Sequence, residues 1–163
     1  MNPAFGEALI ERLPALRRYA LSLARRSDQA DDLLQITVER ALTAADSYDP
    51  AARLDPWLFR IMRNAFIDTT RRQRTRGTEV DVFDTPEALP TDTQPAIEAR
   101  LMLRTTAAAM TDLPPDQQEV LILVCVQELS YAEAAEVLDI PRGTVMSRLS
   151  RARLALAARL GIK

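Results

Sequence analysis

The chain has 163 residues with 21 Lys+Arg, 23 Asp+Glu, a formal charge of −2, no His and a single Cys. Without His there is no Ser-His or Cys-His catalysis, and Cys125 alone allows neither an intramolecular disulfide nor a thiolate zinc cluster. The longest apolar run, Val120 to Val126, is too short to cross a bilayer, and the opening MNPAFGEALIERLPALRR turns charged too early for a secretory signal; a cytoplasmic protein with no membrane insertion is expected.

At 47% hydrophobic and 27% charged, the composition is that of a globular protein, of one ordinary domain or two small ones. Periodicity is helical throughout. Leu9, Leu13, Leu16, Ala20 and Leu23 recur at steps of three and four, the apolar stripe of a first helix. Ser27 and Asp28 are candidate caps for a second, with the stripe Leu34, Val38, Ala41 and Ala45. Asp55-Pro56 opens a third, a capping carboxylate followed by Pro at the first helical position, and this helix is expected to bury Leu58, Ile61, Met62 and Ala65.

From Gly77 to Pro95 the periodicity stops, and GTEVDVFDTPEALPTDTQP reads as an acidic, extended linker. Helix resumes from Ala96 to Met110. Pro114-Pro115 opens another helix through Val126, in which Cys125 is expected to be a buried, inert thiol. Ser130 and Glu133 form a capping box for a helix ending near Leu138. Asp139-Ile140-Pro141 turns into a last helix, about Arg142 to Leu160. The expected fold is all-α: two small helical domains joined by a flexible linker, with boundaries at 1–76, 77–95 and 96–163.

Charge is segregated along this order. Residues 28–55, 77–98 and 111–139 are acidic blocks, whereas 56–76 and 142–159 are Arg-rich, each near +5. Every basic residue except Lys163 is Arg, whose planar fork suits phosphates and carboxylates, although a GC-rich genome supplies Arg as well. The basic blocks can dock a polyanion, or the blocks can simply pair with one another.

The most specific signal is SYAEAAEVLDIPRGTVMSRLSRARLAL: a capped two-turn helix, a turn of about three residues and a longer basic helix, the pattern of a helix-turn-helix. Ala134 and Ala135 are small where the helices cross, and Ile140 can plug the joint. Val145, Leu149, Ala152, Leu156 and Leu160 form the buried stripe of the last helix. Ser147 and Arg151 lie opposite it, with Thr144 and Ser150 flanking, placed to enter a major groove. Arg142, Arg148 and Arg153 suit phosphates. GTVMSRLSRAR preceded by LSYAEAAEVLDIP closely resembles the C-terminal DNA-binding region of bacterial RNA polymerase sigma factors of the extracytoplasmic-function group. In that family this helix reads the −35 promoter element. Met146 and Ser150 stand at positions where the family often has Lys or Arg, and His or an aromatic residue, respectively.

The N-terminal half carries the same resemblance independently. Asp31-Asp32-Leu33-Leu34-Gln35, with Glu39 and Ala41-Leu42, resembles the family's second conserved region, whose acidic helix binds the clamp of the polymerase β′ subunit. Asp32, Gln35 and Glu39 are spaced three and four apart and share one face; Ile36 replaces a common Glu. PWLFRIMRNAFIDTTRRQRTR resembles the region that melts and holds the −10 element. There Arg60, Asn64, Asp68 and Arg71 fall on one stripe, and Arg71, Arg72, Arg74 and Arg76 can neutralise phosphates. Asp68 among these arginines signals either donor recognition or an Arg ion pair. The loop from Ser47 to Leu54 lies where family members capture a −10 base, Tyr48 offering a ring, Asp49 an acceptor and Arg53 a cation. Trp57 beside the apolar stripe reads as a packing residue.

The resemblance implies a sigma factor without catalysis or cofactor, a monomer when free, that binds core RNA polymerase (β′ clamp and β flap) and promoter DNA and is regulated by an anti-sigma factor. A self-standing helix-turn-helix regulator, or a decoy that binds polymerase without opening promoters, are the competing readings. An enzyme fits least, since the chain has no Gly-rich phosphate loop and no metal-ligand cluster.

Overall fold

Helix α1 (Pro3–Ala24) starts where the Asn2 side chain accepts the Ala4 N–H at 3.0 Å and Pro3 supplies a first helical residue with no N–H to satisfy. In the computed structural model, which describes residues 2–76 and 94–162, six further α-helices follow, and the described residues contain no strand. They are α2 (Ser27–Thr43), α3 (Leu54–Arg76), α4 (Gln94–Thr111), α5 (Pro115–Leu121), α6 (Tyr131–Leu138) and α7 (Arg142–Arg159). A 3-10 turn at Ala45–Ser47 follows α2. The predicted linker lies outside the described residues up to position 93, and Gln94 and Pro95 already belong to α4.

The first three helices pack against one another. Leu16, Tyr19 and Ala20 of α1, Ala30, Thr37 and Ala41 of α2, and Leu58, Met62 and Ala65 of α3 are fully buried, and Phe59 nearly so. Each large apolar side chain contributes roughly 1.5–3 kcal/mol by leaving water. Ile61, expected in this core, is only half-buried. The buried stripe of α2 runs through Leu33 and Thr37, so Leu34 and Val38 sit at its edge. Thr37 fits an apolar interior because its hydroxyl donates to the Leu33 carbonyl at 2.7 Å.

Two predicted caps differ. The cap position of α2 is Arg26, and Ser27 is the first helical residue; Arg26 forks onto Asp28, both contacts at 3.2 Å. Helix α3 starts at Leu54, so Asp55 lies in its first turn with its carboxylate turned to arginine side chains.

In the C-terminal half the capping box is complete: Ser130 Oγ accepts the Glu133 N–H at 3.1 Å and Glu133 Oε1 accepts the Ser130 N–H at 2.9 Å. Asp139 ends α6 in the left-handed region at φ 53°. The Ile140 N–H then returns to the Ala135 carbonyl at 3.1 Å, which brings Ile140 onto the core as a plug. Ala134, Val145 and Ala152 are fully buried where α6 and α7 cross. After α5 the chain makes a wider turn over Ile122–Val126, closed by the Gln127 N–H on the Ile122 carbonyl at 2.8 Å. Helix α3 packs against α6, and the buried residues of both halves form one continuous cluster.

Candidate nucleic-acid interface

On α2, Asp31, Asp32, Gln35 and Glu39 are all exposed, as their spacing requires of residues opposite a buried stripe. Asp31 accepts from Arg17 of α1 at 3.2 Å, and Gln35 donates to Glu39 at 3.4 Å. This acidic face is open to a cationic partner.

Around the corner, α3 presents Arg60, Asn64, Arg71 and Arg72 to solvent. Asp68 is half-buried and accepts from Arg40 of α2 at 3.1 Å, so of the two readings of this acid the ion pair is the one formed. The loop between the 3-10 turn and α3 is tightly tied. Tyr48 Oη donates to the Ala52 carbonyl at 2.6 Å, and Asp49 Oδ1 accepts the Ala51 N–H at 2.9 Å. The Tyr48 ring lies 5.2 Å from that of Trp57, which is a packing residue as expected. Arg53 Nη1 donates to both carboxylate oxygens of Glu133 of α6, at 2.8 and 3.0 Å, and its Nη2 donates to Asp55 at 3.3 Å.

On α7, Arg142, Met146, Ser147, Ser150, Arg151 and Arg153 are exposed and Thr144 half-buried. The Ser147 hydroxyl donates back to the Thr144 carbonyl at 3.1 Å. Arg148 lies on the inner flank, half-buried, 3.7 Å from Asp116 of α5. Thus six of the eight helix-turn-helix candidates form an outward face, and neither Arg-bearing face is packed into the core.

Three polar contacts beside the Arg53–Glu133 pair join the halves. Arg63 of α3 forks onto Glu119 of α5 at 2.9 and 3.4 Å, with both side chains about four-fifths buried (22% and 21% exposed). Burial opposes the Arg63 charge, but the hydrogen bond and the attraction of Glu119 outweigh it and raise the pKa above the ordinary guanidinium value. Gln118 Oε1 accepts from Arg25 at 3.2 Å, and Gln127 Nε2 donates to the Ala15 carbonyl at 3.3 Å. Below them Tyr19 is fully buried against Phe59, ring centroids 5.1 Å apart, its hydroxyl unpartnered among the described residues. Burial first, and Glu119 second, push its pKa far above the usual phenol range, against an opposing pull from Arg63.

Two family descriptions match the chain in the expected order: Sigma-70 region 2 over residues 9–76 and Sigma-70, region 4 over residues 103–156. The ECF RNA polymerase sigma factor EcfG of Rhodopseudomonas palustris is 41% identical over 160 residues, covering 98% of this chain and 87% of that protein. The chain belongs to the extracytoplasmic-function RNA polymerase sigma factors.

Solved structures agree. The sigma factor RpoE from Bartonella quintana, in complex with the anti-sigma factor NepR, superposes with a TM-score of 0.83 at 32% identity, covering 99% of both chains. CnrH, in complex with the cytosolic domain of CnrY, superposes with a TM-score of 0.69 at 30% identity, covering 97% of this chain and 88% of that one. Sigma factors confer specificity on transcription initiation and are not enzymes, so this chain's chemistry is recognition rather than catalysis. Among the described residues no helix is long and apolar enough to cross a membrane.

Several residues of this sigma factor carry structure that the sequence reading did not assign. Phe5, Arg12, Arg40, Arg63 and Glu119 all shape the faces or their joint, and Asp55, expected as a cap, instead pairs with Arg12 and Arg53. Asn2-Pro3 is the same helix-start signal as Asp55-Pro56 and places α1 before Leu9. Cys125 corrects an expectation: it is exposed, not buried. The wide turn over 122–126 adds a residue per turn, which rotates Cys125 and Val126 outward while Leu123 stays buried.

Proposed function

We propose that this sigma factor binds core RNA polymerase through the acidic face of α2 (Asp31, Asp32, Gln35, Glu39). Tyr48, Asp49, Arg53, Arg60, Asn64, Asp68, Arg71 and Arg72 engage the −10 element, with Asp68 acting by fixing Arg40. Arg142, Thr144, Met146, Ser147, Ser150, Arg151 and Arg153 engage the −35 element, and Arg148 braces the reading helix. The functional units are then 1–76 for polymerase and −10 DNA, 77–95 as the tether, and 96–163 for −35 DNA and the β flap. The cytoplasm is the compartment in which polymerase and promoter are met.

The observation that carries this reading is that one chain exposes an acidic face and two arginine faces in the family's order. Neither basic block exceeds about +5, so free DNA binding is weak and salt-sensitive, with a log–log slope of roughly −0.9 per phosphate contacted. Selectivity comes from holding both units on one polymerase, which raises their effective concentration at the promoter. An anti-sigma factor is the expected regulator, by analogy with RpoE bound to NepR and CnrH bound to the cytosolic domain of CnrY.

The test is transcription from a promoter library by purified chain and core polymerase. Transcripts dependent on both a −35 and a −10 sequence are expected. Asp32→Arg with Gln35→Ala should abolish polymerase binding while the C-terminal half keeps its fold. Tight, sequence-specific DNA binding by the chain alone, with no transcripts, would instead establish a stand-alone regulator.

A further inference from the structure

The start of α1 lies before both family matches, the first of which begins at residue 9, yet it forms one wall of a cleft beside the −10 loop. That cleft, about 400 Å³ and open to solvent on one side, lies between α1 and the segment Tyr48 to Asp55, within the volume range of small-molecule sites. Phe5 is 9% exposed and lies against the loop ring of Tyr48 at 5.8 Å and edge-on to Trp57 of α3 at 6.0 Å. These three rings brace each other, and the Tyr48 hydroxyl is tied to Ala52, so its ring has one stable setting.

The cation at the cleft is fixed in the same way. Arg12 Nε donates to Asp55 Oδ1 at 2.7 Å, and the other Asp55 oxygen accepts from Arg53 at 3.3 Å. Arg53 is thus held from two sides, its Nη1 by Glu133 of α6 at 2.8 and 3.0 Å and its Nη2 by Asp55, which is mostly buried and itself fixed by Arg12, so that Asp55 sets the second edge of the guanidinium.

Resting on the reading of the loop as the −10 contact, we propose that Phe5 and Arg12 are positioning residues for −10 recognition. Phe5 sets the Tyr48 ring and Arg12, through Asp55, sets the Arg53 fork, so that the cleft accepts one unstacked base of single-stranded DNA with its phosphate toward Arg53. A pre-set ring and fork lose little freedom on binding, which is how a small site becomes selective. Phe5 and Arg12 touch no DNA in this scheme.

The test uses the full chain with core polymerase and promoters carrying 2-aminopurine at successive non-template −10 positions, together with transcription from all four bases at each position. Phe5→Leu keeps apolar volume but removes the ring; Arg12→Gln removes the ion pair at a half-exposed site. Both variants should lower the base preference at one −10 position roughly fivefold to tenfold and reduce the 2-aminopurine signal there. Polymerase affinity and −35 dependence should stay within about twofold, as effects confined to one contact do. Wild-type preference at every −10 position in folded Arg12→Gln would overturn the proposal, whether or not Phe5→Leu folds. So would an equal loss of transcription from all −10 sequences, which marks a merely structural role. A wild-type chain that selects no −10 sequence with polymerase overturns the sigma reading beneath it.

Discussion

The two halves of the molecule solve the same problem, holding an exposed arginine-bearing helix, by different means. The N-terminal half uses aromatic rings: Tyr19 against Phe59 in the core, and Phe5, Tyr48 and Trp57 under the loop. The C-terminal half uses backbone closure: a reciprocal cap at Ser130 and Glu133, a left-handed Asp139, and small Ala134 and Ala152 where helices cross. Rings brace loops that must present side chains in fixed poses. Caps and small residues fix the angle between two helices, which is what a helix entering a groove needs. Between the halves lies a third element, a largely buried ion pair, and changing each part in turn separates the three contributions.

The largest effect is expected at the joint. Glu119→Ala leaves the Arg63 charge mostly buried without its partner, at a cost of about 3 kcal/mol. Thermal unfolding should show the drop, and hydrogen exchange should rise in α3 and α5 ahead of α7. An unchanged unfolding midpoint would mean that the Arg63–Glu119 pair adds nothing to the joint, which is then held by apolar packing and the Arg53–Glu133, Arg25–Gln118 and Gln127–Ala15 contacts. Next comes the cap. Ser130→Ala removes an acceptor for the Glu133 N–H and should lower stability by about 1 kcal/mol, read by urea denaturation. The accompanying rise in amide exchange should centre on the start of α6 and leave the Phe5–Tyr48–Trp57 cluster unaltered.

The smallest effect has the opposite sign. Tyr19→Phe deletes a buried hydroxyl without a partner while keeping the ring on Phe59, and should be neutral or stabilising by up to about 1 kcal/mol. It also carries a pH signature. The folded state holds the Tyr19 proton above the ordinary phenol value near 10. Stability from this group is therefore full at neutral pH and falls as pH rises past about 10, where the unfolded chain ionises first. Urea midpoints between pH 8 and 11 should decline in the wild type and flatten in Tyr19→Phe. Equal slopes would place the alkaline sensitivity elsewhere.

The same contrast explains what the sequence could reveal. The capping box and the Ile140 plug are local patterns a few residues long, and each is present as read; of the stripe on the last helix Val145, Leu149 and Ala152 are buried, whereas Leu156 and Leu160 near its end are only half-buried. The acidic face of α2 was legible because spacing alone puts Asp32, Gln35 and Glu39 on one side. Its buried stripe was misplaced by a residue because Thr37 satisfies its hydroxyl internally and so behaves as an apolar residue. Contacts across the chain leave no such trace: Arg53 meets Glu133 across 80 positions and Arg63 meets Glu119 across 56. Cys125 departs from the buried position expected of it because helical periodicity assumes a constant turn, and the chain widens its turn there.

That outward-facing sulfur has a practical consequence. It is the protein's sole thiol, and the same stretch of chain reaches α1 through Gln127 and Ala15. A fluorophore attached by maleimide chemistry to the unmutated protein would therefore sit beside the seam, and its emission would follow in real time whether polymerase or an inhibitor pulls the seam apart.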